Sequence, residues 1–202
     1  MTVFRWVAPA FKWSGRRWSD ADFRLLADRL RPHVPPGGLL LDLGGGTGEL
    51  GAGVAATLGA RVVIVDTTAQ MLRRVEPGPS LSVMLAPAEA LPFPDDHFDA
   101  LLCSDAFHHF RDQAAAAAEM ARVVRPGGGI LLLEPDAQAR GARILRLGER
   151  MLGEPGTFKS PREMEAFMAG FGVDGVSSRL RGLSYMFLGT VSAPPGQEGD
   201  HV

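Results

Sequence analysis

Short apolar runs, bounded by glycine, proline or an acidic residue, alternate along this chain with stretches of helical periodicity. Leu39 to Leu43 is the first run and reads as a buried strand. Arg61 to Val65, rich in β-branched residues and closed by Asp66, is the second. Leu81 to Leu85, Phe98 to Cys103 and Ile130 to Leu133 continue the series, and the last ends at Glu134. Helices fall between them. Ser19 with Asp22 makes a capping-box-like start, and Phe23, Leu26, Ala27 and Leu30 share one helical face. Glu49 to Leu58 reads as a helix, and Thr67 with Gln70 predicts a capping box that opens another through Met71 and Leu72. Asp112 to Val124 is alanine-rich and is stopped by Pro126 and three glycines.

Strands alternating with helices at this spacing imply βαβ units and a mainly parallel sheet. The later part changes character. Gln138 to Leu152 reads as a helix, and Ser160-Pro161-Arg162-Glu163 carries a cap, an N1 proline and a box partner for the next. Val173 to Leu180 and Leu183 to Val191 are strand-like runs joined by Arg181-Gly182, which predicts a hairpin. The expected fold class is therefore α/β: a doubly wound, Rossmann-like sheet of about seven strands with helices on both faces, five strands parallel and the last two an antiparallel hairpin. Residues 1–35 form an N-terminal helical or lid segment, 36–192 the main domain, and 193–202 a tail expected to be disordered.

The chain has 202 residues, 46% hydrophobic and 22% charged, which suits one domain with a sizeable core. The net charge of −2 supplies no basic field. No basic stripe with interleaved aromatics runs through the domain, which argues against nucleic acid as a partner. No apolar run is long enough for a membrane span. The single cysteine, Cys103, excludes a disulfide framework and a cysteine-based zinc site within one chain and points to a reducing, cytosolic setting. No metal is expected: Asp105, His108 and His109 have poor spacing for one.

Candidate chemistry starts at the loop after the first strand. In an open α/β sheet, ligands bind at the carboxyl ends of the strands, where strand order reverses. Gly44, Gly46 and Gly48 allow a sharp turn and close approach of a ligand to the backbone. Backbone N–H groups and the following helix start favour an anionic or strongly polar group. Asp66, twenty residues beyond Gly46, is placed to accept hydrogen bonds from ribose hydroxyls. This pattern fits adenosine ligands in general. Gly46-x-Gly48-x-x-Gly51 also matches the dinucleotide fingerprint, which keeps a nicotinamide oxidoreductase in view.

Four blocks narrow the choice. Leu40-Leu41-Asp42-Leu43-Gly44-Gly45-Gly46-Thr47-Gly48 resembles the first motif of class I S-adenosylmethionine-dependent methyltransferases. Val65-Asp66-Thr67-Thr68-Ala69-Gln70-Met71-Leu72 is similar to that family's second-strand segment. Ala88-Glu89-Ala90-Leu91-Pro92-Phe93-Pro94-Asp95-Asp96-His97-Phe98-Asp99 resembles the block running from the adenine site into the fourth strand. Glu119-Met120-Ala121-Arg122-Val123-Val124-Arg125-Pro126-Gly127-Gly128 is similar to the helix and turn before the fifth. The resemblance spans roughly residues 36 to 190, and its nearest flavour is the branch holding the ubiquinone and menaquinone biosynthesis methyltransferases and many small-molecule methylases.

The resemblance implies S-adenosylmethionine as cofactor, S-adenosylhomocysteine as product and a small-molecule substrate. It implies that Asp42, Gly44, Gly46 and Gly48 hold the methionine end, that Asp66 binds the ribose, and that Thr67 and Met71 flank the adenine. Ala88 offers its backbone to the adenine edge with Glu89 beside it, and Ser104 lines the methyl-transfer channel. One departure stands out. Relatives often carry an acid before the Ala-Glu pair, and here that position is Pro87. Either another group serves, or adenine is held by backbone and packing.

Methyl transfer needs alignment and desolvation, and a base only if the nucleophile must lose a proton. His108 and His109, after the fourth strand, are the candidate general bases; the bland reading is that one packs and the other is solvated. Adjacent residues do not share a face, so at most one is expected to point inward. Glu134 either polarises a substrate or caps a helix before Gln138. Phe4, Trp6, Phe11, Trp13 and Trp18 either cover a flat apolar substrate or pack the first helix on the sheet. A non-catalytic cofactor-binding protein is the remaining alternative.

Overall fold

The computed structural model describes residues 18–138, 156–180 and 184–193. Phe4, Trp6, Phe11 and Trp13, the expected helix beyond Gln138, the Arg181-Gly182 turn and the tail from Pro194 lie outside these residues. The elements are α1 (Asp20–Leu30), β1 (Leu39–Leu43), α2 (Glu49–Leu58), β2 (Arg61–Asp66), α3 (Ala69–Leu72), β3 (Leu81–Leu85) and β4 (Phe98–Ser104). A 3-10 turn (Phe107–His109) leads to α4 (Gln113–Val123) and β5 (Val124–Pro135). The chain then resumes with α5 (Pro161–Ala169), β6 (Val173–Arg179) and β7 (Ser184–Val191).

These strands form one seven-stranded sheet in the order β3-β2-β1-β4-β5-β7-β6. The first five run parallel. β7 inserts antiparallel between β5 and β6, and so closes the hairpin against the parallel block. The doubly wound, Rossmann-like sheet expected from the sequence is the fold observed. Both faces are apolar because the central strands carry hydrophobic residues at successive positions rather than alternately. Leu40, Ile64, Leu102 and Leu131 pack one face against α1, α2 and α3. Leu41, Val65, Leu101 and Leu132 pack the other against α4 and α5 through Met120, Met164 and Met168. Trp18 packs beside the first of these clusters.

Local signals account for most boundaries. Ser19–Asp22 and Ser160–Glu163 are complete capping boxes, and Pro161 opens α5. Asp112 caps α4 by accepting from Ala114 N–H and Ala115 N–H, each at 3.0 Å.

Two expectations are corrected. Thr67 and Gln70 form no capping box. Thr68 is the N-cap of α3 and makes no side-chain capping bond, while its N–H donates to the Asp66 carboxylate at 2.7 Å. β5 begins at Val124 rather than Ile130, directly after α4. Val124 pairs with Phe98 and Gly129 with Ala100, so the proline and glycines form a bulge inside the ladder rather than a turn before it.

Candidate functional site

Strand order reverses between β1 and β4, and the loops at their carboxyl ends meet there. Gly44 has φ +72°, and a Cβ at this position would overlap the Cβ of Ala106, which follows β4. The two loops touch across a contact that admits no side chain on Gly44. Gly44 N–H also donates to Val65 O at 2.8 Å, which ties the loop to the end of β2.

Asp66 locks the loop from the other side. Its Oδ2 accepts from Gly46 N–H at 2.9 Å and its Oδ1 from Thr68 N–H at 2.7 Å. An ionised carboxylate has about four acceptor sites, so two remain for a ligand. Gly46, at φ +56°, meets nothing within 4 Å of a Cβ position among the described residues. The outer face of the loop is open at that point. Thr67 is exposed at the same edge, and Met71 is half-buried.

Asp42 lies beneath the loop. It is 1% exposed, and its Oδ2 has no hydrogen-bond partner among the described residues. The carboxylate fills the space that a Cβ on Gly45 or Gly51 would need, so it sits under the first turn of α2. Burial raises its pKa to about 7; the Gly51 N–H pulls it down, and the Asp66 charge adds to the rise.

The segment after β4 is held by Glu134, at the end of β5. Glu134 Oε1 accepts from Ala106 N–H at 3.2 Å and Phe107 N–H at 3.0 Å, and its Oε2 lies 2.6 Å from His108 Nδ1. Among the described residues Glu134 braces the turn after β4, and the Gln138 N–H goes to Asp136 Oδ1 at 2.9 Å. Asp105 adopts φ +51°, a left-handed conformation that glycine favours and other residues rarely take, and its N–H is tied to Leu133 O at 2.8 Å.

His108 is 4% exposed and stacks on Phe158 with ring centroids 4.6 Å apart. His109 is half-buried, and its ring centroid lies 4.1 Å from that of His108. The tight 3-10 turn brings the two rings side by side, with His108 the more deeply buried. Burial, and then the neighbouring His108, lower the pKa of His109 to about 4. Ser104 is half-buried at the mouth of β4.

The predicted adenine-side block follows β3. Ala88 is 3% exposed in a turn closed by Ala90 N–H to Pro87 O at 3.3 Å. Glu89 turns away to brace the start of α4, accepting from Arg111 N–H at 3.0 Å and Asp112 N–H at 3.3 Å. A clamp that sequence reading did not find secures this block. Glu119 on α4 accepts from Leu91 N–H at 2.7 Å, while Arg122 donates to Leu91 O, Phe93 O, Asp95 and Glu119. The side-chain hydrogen bonds to Arg122 hold the Glu119 carboxyl below the usual range. Two sequence blocks far apart in the chain are thus one structural unit. The only signal in the sequence was an acid and an arginine three residues apart on a helix.

Open α/β sheets take their ligands at this end. A shallow groove of about 480 Å³ lies at the opposite, amino ends of the strands, among Leu39, Arg61, Gly78, Leu81 and His97. It has neither the glycine loop nor the strand-order reversal.

Comparison with known proteins agrees with the geometry. Residues 41–132 match a family model described as a methyltransferase domain. The ubiquinone/menaquinone biosynthesis C-methyltransferase UbiE of Chromobacterium violaceum is 40% identical over 108 residues, 50% of this chain and 44% of that protein. The chain thus matches less than half the length of this curated relative. The corresponding protein of Laribacter hongkongensis is 39% identical over the same extent. Among solved structures, a SAM-dependent methyltransferase of Thermotoga maritima superposes with TM-score 0.70 at 19% identity, covering 94% of this chain and 98% of that one. A geranyl diphosphate methyltransferase solved with SAM gives TM-score 0.69 at 16% identity, covering 85% of each chain. Both show a shared fold. No helix among the described residues is long and apolar enough to cross a membrane.

Proposed function

We propose that the protein is an S-adenosylmethionine-dependent methyltransferase that acts on a small molecule by in-line methyl transfer. The observation that carries this reading is the charge at the glycine loop. Asp42 lies under it, Asp66 beside it, and Glu49 and Asp105 flank it, while its outer face is open at Gly46. A dinucleotide brings a pyrophosphate to this loop, and the acidic side chains of Asp66, Glu49 and Asp105 around it oppose that anion. A ligand with a sulfonium and an ammonium is favoured by the same charges.

The donor set fits such a cofactor. Gly44, Gly46 and Gly48 would shape the cradle for its methionine end, with Asp42 supplying the charge below. The free acceptor sites of Asp66 would take the ribose hydroxyls. Thr67 and Met71 would border the adenine on one side and the buried Ala88 turn on the other. Glu89 would hold that turn through the start of α4, and backbone and packing would stand in for the acid that Pro87 replaces. Bound there, the cofactor supplies an electrophilic methyl group. Ser104 would line the path to the acceptor. Glu134 would fix the turn carrying His108 and His109, which would close one wall and exclude water. His109 would stay neutral and able to accept a proton. We place the protein in the cytosol, since Cys103 is a free, buried thiol.

Calorimetry with S-adenosylmethionine and with NADH tests the reading: binding of the first and not the second is expected, and the reverse would overturn it. Asp66→Ala should weaken binding at least tenfold, because it removes the ribose acceptor and frees Gly46 N–H and Thr68 N–H. Unchanged affinity would remove Asp66 from the site. A labelled-methyl assay over a panel of small acceptors then tests turnover.

A further inference from the structure

The carboxylate of Asp42 is the odd group at this site. A buried polar atom without a partner costs free energy, and a buried unpaired charge costs more. Asp42 Oδ2 has no partner, and the space around it is closed by Gly45 and Gly51. Ile64 and Leu102 are its neighbours in the sheet. Among the described residues, the ionisable groups around it supply no cation. On β2 there is Asp66, on β4 the buried Cys103, beyond β4 the exposed Asp105, and at the head of α2 the exposed Glu49. Burial holds the Cys103 thiol protonated, and Asp42 itself is among the charges that raise it. Among the described residues, the Gly51 N–H alone favours a charge on Asp42.

We propose that Asp42 reads the charge of the ligand: it carries a proton in the free protein up to neutral pH and releases it when a cation seats on the glycine loop. This rests on the S-adenosylmethionine site proposed above. The proton leaves to solvent; no other bond changes. The new negative charge is then matched by the ligand's positive charge rather than left alone in the interior. A neutral or anionic adenosine ligand offers no such match, so Asp42 works as a specificity residue as well as a floor for the loop. With its pKa near 7 in the free protein, the sign is fixed. Below that value binding must expel a proton, so affinity rises with pH toward 7 and then levels off.

Titration calorimetry of the full chain with S-adenosylmethionine at pH 6.5, in phosphate and in Bis-Tris, reads the proton directly. The observed heats should differ by the buffers' ionisation enthalpies, with roughly three-quarters of a proton released per site. Affinity should rise about fivefold from pH 6.0 to 7.0. Asp42→Asn keeps the shape and loses the charge, and should bind more weakly at pH 7 with no proton release. Equal heats in the two buffers, or the same release from Asp42→Asn, would overturn the proposal while leaving the methyltransferase reading intact. No binding at any pH would overturn both. The wild-type buffer comparison decides the matter even if the variant does not fold.

Discussion

Removing the Asp42 charge should stabilise the ligand-free protein at high pH, and the size follows from its burial. An ordinary aspartate ionises near 3.8, whereas Asp42 ionises at about 7. Between these values the unfolded chain has lost the proton and the folded chain still holds it. The folded state then binds more protons, so stability contributed by this group is present below the unfolded pKa and falls as pH rises toward 7. From pH 5 to 8 the loss is about 3 kcal/mol. Asp42→Asn does not titrate and escapes that loss. Its amide still lacks partners against Gly45 and Gly51, which costs about 1–3 kcal/mol at every pH. The comparison is therefore a double difference. Urea unfolding of both proteins at pH 5 and pH 8 cancels the other titrating groups and the fixed amide cost. The variant should gain about 3 kcal/mol on wild type between the two pH values. Parallel pH profiles for the two proteins would mean that Asp42 ionises normally and that the account of its burial is wrong. The same variant should lose cofactor affinity, so stability and binding would move in opposite directions.

Three further expectations follow from the site. Gly44→Ala should destabilise the fold by about 2 kcal/mol or more, from its positive φ and the collision with Ala106; a melting temperature within a degree of wild type would contradict that contact. Arg122→Ala should cost about 1–2 kcal/mol, since its guanidinium ties α4 to the Leu91–Asp95 segment from a partly exposed position, and denaturant unfolding measures the loss. His109 should show no charge change from pH 6 to 8 by imidazole NMR, because its pKa sits near 4; a midpoint above 6 would refute its burial beside His108.

The elements of the fold were legible because their signals are local. Leu39–Leu43, Glu49–Leu58 and Leu81–Leu85 have the bounds that periodicity and punctuation predict. Ser19 and Ser160 cap as their spacing implies. Thr67 and Gln70 had the same spacing and formed no box, since α3 starts one residue later, with Thr68 as its N-cap. Pro126 and the glycines after it looked like a stop, and pairing with β4 drew them into β5 as a bulge. The first was decided locally, by where α3 starts, and the second by pairing with a distant strand.

The candidate site divides in the same way. The spacing of Asp42, Gly44, Gly46, Gly48 and Asp66 along β1, its loop and β2 was enough to locate the loop end of the sheet, because a strand, a tight turn and a helix start are contiguous. What Asp42 and Glu134 do could not be read there. Glu134 was an acid at a strand end with two open roles; only the approach of the turn after β4, across the β4–β5 pairing, made it the brace of His108 and of two backbone N–H groups. Asp42 was a motif residue like any other; only the closing of Gly45 and Gly51 over it removed its water and moved its pKa. Sequence determined which elements form and where the loop lies, through interactions a few residues long. Tertiary structure decided which carboxylates keep water and which lose it, because desolvation depends on what packs on top.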